Sequence, residues 1–296
     1  MFRRLILGCA VAALALTGAI AAHAGDALVE RGAYLVNGVV ACGNCHNTRS
    51  PDMRFIEGME FAGGLEVVEK PFTARVPNIT PDMETGIGAW SDGEIITAIR
   101  DGRRPDGSLI GPPMPFSQYR NMSDSDVKAI VAYLRQVPAV SHKVEKSEYR
   151  MPLPPAWGPS VGSVADVPTD DPVVYGAYLA GPLGHCIECH TPMVKGRRDF
   201  KNQLGAGGFV VRGPWGQTVS ANITPDPETG IGKWSEWQVK SAIFTGYRAD
   251  GSKMFPPMPY HFYQNIHAED LDAIVAYVRS FKPIKKVDFV MPQIKV

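Results

Sequence analysis

Cys42-Gly43-Asn44-Cys45-His46 decides how this 296-residue chain is read, because it returns as Cys186-Ile187-Glu188-Cys189-His190. Two cysteines three positions apart, with a histidine directly after the second, form the pattern of covalent c-type haem attachment. Each thiol adds to one vinyl group of the haem to give a thioether, and a single helical turn points both sulfurs at one edge of the ring. The adjacent imidazole then lies beneath the iron as its proximal ligand. One copy of the motif arises by chance now and then, and two copies are far more specific. Two covalently bound haems c are therefore expected, attached at Cys42, Cys45, Cys186 and Cys189, with His46 and His190 on the irons.

The duplication extends well beyond these motifs. The offset of 144 residues that carries Cys42 onto Cys186 also carries Asn78-Ile79-Thr80-Pro81-Asp82 onto Asn222-Ile223-Thr224-Pro225-Asp226. It maps Thr85-Gly86-Ile87-Gly88 with Trp90 onto Thr229-Gly230-Ile231-Gly232 with Trp234, and Pro112-Pro113-Met114-Pro115 onto Pro256-Pro257-Met258-Pro259. A constant offset across such landmarks means one unit written twice with no net insertion. Each unit reads as a short helix carrying Gly32-x-Tyr34 or Gly176-x-Tyr178, the haem motif, and a Gly-rich stretch with at most short strands. A middle helix follows, with capping boxes at Ser91/Glu94 and Ser235/Gln238 and stops at Gly102 and Gly246. A Pro-rich methionine loop comes next, then an amphipathic closing helix with Val127, Ile130, Val131 and Leu134 at helical spacing. Tyr133 and Tyr277 are expected to pack that helix on the first, with Gly32 and Gly176 permitting close approach.

The second axial position decides what a haem does: an open site suits gas or peroxide chemistry, and a filled one suits electron transfer. The repeat selects the ligand from eleven methionines, because only Met114 and Met258 map onto each other. Flanking prolines restrict both loops and lower the entropy lost when a flexible thioether binds. Met114 and Met258 are accordingly expected on the irons opposite His46 and His190. Trp90, Trp234, Asn78, Asn222, Arg104 and Arg248 are candidate propionate contacts, since indole N–H, amide and guanidinium groups are the donors a sheltered carboxylate needs. Core packing for the tryptophans, a turn for the asparagines and solvent exposure for the arginines are the alternatives.

Composition limits the setting. Residues 1–24 read as an export signal: Arg3 and Arg4, an apolar stretch from Leu5 to Leu16, then Ala22-His23-Ala24. An uncleaved anchor is the alternative. Beyond the leader no apolar run approaches a membrane span, so at most peripheral membrane association is expected. Thirty basic against thirty acidic side chains argue against nucleic acid. All cysteines outside the leader belong to the haem motifs, which excludes a disulfide framework and a separate thiol active site. A periplasmic location follows.

Each half resembles a class I cytochrome c domain: helix, Cys-x-x-Cys-His, loops, Pro-rich methionine loop, closing helix. The combination of Asn-Ile-Thr-Pro-Asp, Thr-Gly-Ile-Gly-x-Trp-Ser and Pro-x-Met-Pro resembles the cytochrome c subunits of bacterial membrane-associated alcohol, aldehyde and sugar-acid dehydrogenases. The resemblance implies an all-α fold of two tandem cytochrome c domains, residues 25–137 and 172–282, joined by a Pro-rich linker over 138–171 and followed by an extended tail, 283–296. It also implies redox protein partners: a dehydrogenase subunit, an oxidase or a soluble carrier. The expected role is electron carriage without substrate chemistry. A dihaem enzyme, such as a peroxidase or a thiosulfate-oxidising cytochrome, is the competing class; it would need an open or unusual ligand at one iron.

Overall fold

The structure is a computed structural model and describes residues 25–213 and 216–286. The export-signal reading of residues 1–24 and the end of the extended tail, 287–296, lie outside the described residues. In the first half the elements are α1 (25–37), α2 (Gly43–His46), β1 (Glu66–Glu69), β2 (Phe72–Arg75), α3 (Asp92–Asp101), α4 (Phe116–Tyr119) and α5 (Asp124–Leu134). β3 (Glu148–Tyr149) lies in the connecting segment. The second half supplies α6 (Pro172–Tyr178), running into a π-helical turn at Leu179–Leu183, then α7 (Cys186–Cys189), β4 (Met193–Val194) and β5 (Arg197–Arg198). β6 (Val210–Gly213), β7 (Gly216–Val219), α8 (Glu236–Thr245), α9 (Tyr260–Tyr263) and α10 (Ala268–Arg279) complete it.

Local chemistry sets these helices. Both capping boxes form: Ser91 and Ser235 accept from the third backbone N–H of α3 and α8, while Glu94 and Gln238 reach back to the cap N–H. Gly102 and Gly246 end the same helices in the left-handed conformation that glycine adopts at little cost. The closing helices lie across the first helices at very short range. A Cβ on Gly32 would stand 2.0 Å from the Ala129 carbonyl oxygen, and one on Gly176 would stand 1.9 Å from that of Ala273. The Cβ atoms of Tyr133 and Tyr277 flank the same two points at 2.8 and 2.9 Å. Only hydrogen fits at these crossings.

The fold expected from the sequence needs correcting on two counts. It is not all-α, because the Gly-rich stretches form small antiparallel sheets. β1 and β2 pair with Glu66 opposite Arg75 and Val67 opposite Ala74, and β3 adds to β2 with Tyr149 opposite Phe72. β4 pairs with β5, and β6 with β7. The cause is legible in hindsight: the β-branched and aromatic pairs Val67-Val68 and Phe72-Thr73 flank Lys70-Pro71, and Val210-Val211 faces Thr218-Val219. Nor are the two cores fully separate: the second half has a small cluster of its own around Val275, Val278 and Phe281, but the main one is shared. One buried cluster holds Leu35, Val36 and Ile130 of the first half together with Leu179, Phe262 and Ile274 of the second.

Polar groups join the halves reciprocally. Tyr34 donates to Asp270 at 2.5 Å, and Tyr178 donates to Asp126 at 2.7 Å. Each phenol oxygen in turn accepts from the opposite half, Tyr178 from the Ser123 N–H at 3.0 Å and Tyr34 from the His267 N–H at 3.4 Å. Arg31 grips Asp126 with two nitrogens, at 2.8 and 3.1 Å. Both carboxylates are buried, so these partners replace lost hydration.

The connecting segment is a strap on the first half. Val140 offers its carbonyl to the Asn78 amide at 2.7 Å, and Trp157 stacks on Phe116 while donating its indole N–H to the Ile110 carbonyl at 2.8 Å. Asp124 accepts from Ser163 and from the Val164 N–H. Residues 284–286 run equivalently over the second half, with the Ile284 carbonyl on Asn222 at 2.8 Å.

Two outcomes are expected from denaturant unfolding. Gly176→Ala forces α6 off α10 and costs about 1–3 kcal/mol, the range for overpacking. Tyr178→Phe leaves a buried carboxylate short of one donor and costs about 1.5–3 kcal/mol. A midpoint unchanged in either variant would show that the crossing or the phenol contributes nothing to stability.

Candidate haem-binding sites

Each motif is one turn of helix entered from a left-handed residue, Ala41 (φ 54°) or His185 (φ 40°). Within the turn His46 N–H bonds to the Cys42 carbonyl at 2.9 Å, and His190 N–H bonds to that of Cys186 at 3.0 Å. This brings the two cysteines and the histidine of each motif to one side. All four thiols are free, and burial pushes them up, to about 12 for Cys42 and Cys189 and about 11 for Cys186.

The imidazoles are fixed in the same way in both halves. His46 Nδ1 lies 2.9 Å from the Pro77 carbonyl oxygen, and His190 Nδ1 lies 2.7 Å from that of Ala221. A carbonyl only accepts, so Nδ1 carries the proton and Nε2 keeps its lone pair for a metal. Burial holds His46 down, to about 4, against the opposing effect of the Pro77 hydrogen bond; His190 is lowered for the same reason. Both rings are thus neutral near pH 7, as iron ligation requires.

The Asn-Ile-Thr-Pro stretches stand directly after those carbonyls and hold them in place. Asn78 Oδ1 accepts from the Thr80 N–H at 2.9 Å and hydroxyl at 2.8 Å, while its amide donates to Thr85 and Val140. Asn222 repeats the pattern with Thr224, Thr229 and Ile284. The donors proposed for propionates are thus engaged in a turn and its strap. Arg104 and Arg248 brace short turns, donating to the carbonyls of Leu109 at 2.8 Å and Lys253 at 3.2 Å. Trp90 and Trp234 are half-buried, and their carbonyls accept from Arg135 and Arg279.

In the second half one cavity of about 330 Å³ gathers Cys186, His190, Asn222, Trp234, Arg248 and Met258 in its lining. Its remaining walls are mostly apolar, among them Ile231, Val239 and Ile274. Histidine and methionine facing one apolar cavity with an attachment cysteine at its edge form a donor set that fits haem c. Met114 occupies the corresponding loop of the first half, partly buried against the shared core. Both loops contain a cis peptide bond, Pro112-Pro113 and Pro256-Pro257.

The sequence reading missed three matched pairs that shape these sites. The carbonyls of Pro77 and Ala221 carry no side-chain signal. Arg135 and Arg279, and the buried Tyr119 and Tyr263, do map onto each other at the 144-residue offset. Tyr119 lies edge-on to His185 at 5.9 Å, and Tyr263 donates to the Gly184 carbonyl at 3.4 Å. Both phenols therefore sit beside the second attachment motif.

Comparison with known proteins agrees with this chemistry. Residues 176–282 match the cytochrome c family. The chain is 32% identical to the gluconate 2-dehydrogenase cytochrome c subunit of Pantoea cypripedii, over 87% of this chain and 60% of that protein. It is 31% identical to the cytochrome c subunit of the alcohol dehydrogenase (quinone) of Gluconobacter oxydans, over 89% and 57%. A diheme cytochrome c-type protein of Cereibacter sphaeroides is 29% identical over 82% of this chain and 83% of its own length. The chain spans about three-fifths of the length of the two dehydrogenase subunits. Residues 176–282 are a cytochrome c domain, the kind of unit that carries covalent haem c, and most of the chain is similar to part of the cytochrome c subunits of bacterial dehydrogenases.

Proposed function

We propose that the chain is a periplasmic dihaem electron carrier that takes electrons from a dehydrogenase partner and passes them to a respiratory acceptor. The observation that carries this reading is the doubled motif with its doubled imidazole-to-carbonyl bond, His46 to Pro77 and His190 to Ala221. Haem c, when attached, supplies an iron that cycles between Fe(III) and Fe(II). The remaining work belongs to the chain. Cys42, Cys45, Cys186 and Cys189 tether the groups so that they are not lost outside the cell. His46 and His190 offer Nε2 in a fixed orientation, and with Met114 and Met258 they would hold the irons. A soft thioether favours Fe(II) and raises the reduction potential.

The shared core keeps the two sites in one body, which limits rearrangement when charge moves. The names of the relatives support a dehydrogenase as donor; an oxidase or soluble carrier is the acceptor class. Among the described residues no helix is long and apolar enough to cross a membrane, and any membrane association is proposed to be peripheral. The enzyme reading, a peroxidase or thiosulfate-oxidising cytochrome, would need one open or unusual axial position, and both halves place a methionine in the same loop.

Mass spectrometry of the protein from a host with haem attachment machinery should find two haems per chain, and one in the double variant Cys186→Ala/Cys189→Ala. Absorption and EPR spectra of the oxidised protein should show two low-spin His/Met haems. Met114→Ala and Met258→Ala should each abolish one methionine-to-iron charge-transfer band and lower one potential. A high-spin or bis-histidine haem in the unaltered protein would overturn the reading.

A further inference from the structure

Asn44 occupies a position inside the first attachment motif that carries no bond to the haem, yet its side chain reaches the other half. Nδ2 donates to the Pro257 carbonyl at 3.2 Å, and Pro257 directly precedes Met258. The donor is itself held: one Arg49 nitrogen donates to the Asn44 backbone carbonyl at 2.8 Å and to Oδ1 at 3.3 Å. The Arg49 guanidinium lies 4.2 Å from the Phe55 ring centre, and Phe55 packs edge-on to Phe262 of α9 at 5.8 Å. Gly43, also in the motif, admits that helix, since a Cβ there would stand 2.7 Å from the Phe262 ring. The loop bearing Met258 is therefore gripped on both sides of the methionine, at Pro257 before it and at Phe262 after it, by the attachment motif of the other half.

The arrangement is not returned. At the 144-residue offset Asn44 becomes Glu188 and Arg49 becomes Met193. An ionised carboxylate has no N–H to give to a carbonyl, and methionine cannot hold it there. On that side the contacts are side-chain packing, with Tyr119 of α4 against His185 and Gln118 near Gly181.

We infer that Asn44 is a positioning residue for the second haem: by fixing the Pro257 carbonyl from the first attachment motif, it keeps Met258 on the second iron. This rests on the His/Met reading given above. A thioether is a weak ligand, so its occupancy depends on how little freedom its loop has when it leaves the metal. Removing one hydrogen bond from the bound arrangement gives the loop that freedom at the second haem alone. The two sites thereby differ in how firmly methionine is kept, although their ligands are the same.

The test is imidazole titration of the oxidised holoprotein, followed through the methionine-to-iron charge-transfer bands, together with a redox titration of both haems. Met114→Ala and Met258→Ala assign the two signals. Asn44→Ala and the nearly isosteric Asn44→Leu should each bind imidazole about tenfold more tightly at the second haem, the effect of one lost hydrogen bond. The second potential should fall while the first haem keeps its imidazole affinity and potential. Equal shifts at both haems, or none at either, would overturn the inference. An Asn44→Leu protein that behaves as the unaltered one would also overturn it, by making packing rather than the hydrogen bond the cause. If Met258→Ala itself leaves imidazole binding at the second haem unchanged, the ligand assignment fails, whatever Asn44 does.

Discussion

An imidazole bonded through Nδ1 to a main-chain carbonyl is the constraint on which both sites depend. It decides which nitrogen bears the proton, how the ring turns and whether the ring stays neutral. The carbonyl has to be placed well, and much of each half serves that end. The Asn-Ile-Thr-Pro turn follows it, the asparagine spends its amide on holding the turn, and the strap closes over the asparagine through the Val140 or Ile284 carbonyl. The asparagine read in sequence as a candidate ligand contact thus also scaffolds an atom that has no letter of its own, and Asn222 lines the second-half cavity as well.

The second organising fact is that the halves share an interior. The phenol–carboxylate pairs Tyr34–Asp270 and Tyr178–Asp126 sit where hydrophobic burial alone would leave the orientation of the halves loosely defined. Buried charge is costly unless its partners are placed well, and here the donors to Asp126 come from both halves.

The repeat made much of this legible before any coordinates. The caps at Ser91 and Ser235, the stops at Gly102 and Gly246, and the glycine crossings follow from residue chemistry that acts within a turn or between two helices. The sheets did not follow, because four-residue strands inside glycine-rich stretches give too short an alternation to stand out from loop. The shared core was also hidden: Leu35 or Phe262 is equally apolar whether it faces its own half or the other. Arg104 illustrates a further limit, since a donor in sequence does not disclose what it donates to. For Arg104 the recipient is a carbonyl five residues away.

The Tyr–Asp pairs have a form that matters beyond stability. Position 34 of one copy meets the residue matched to 126 in the other, and the residue matched to 34 meets 126. That is the isologous contact of a symmetric homodimer, drawn within a single polypeptide. A single copy could make the same contact with an identical neighbour, but only at a concentration that sustains dimerisation. Joined in one chain, the pair no longer depends on dilution, and the copies are released from having to stay identical. Arg31 against Tyr175 and Asn44 against Glu188 are where that freedom has been used.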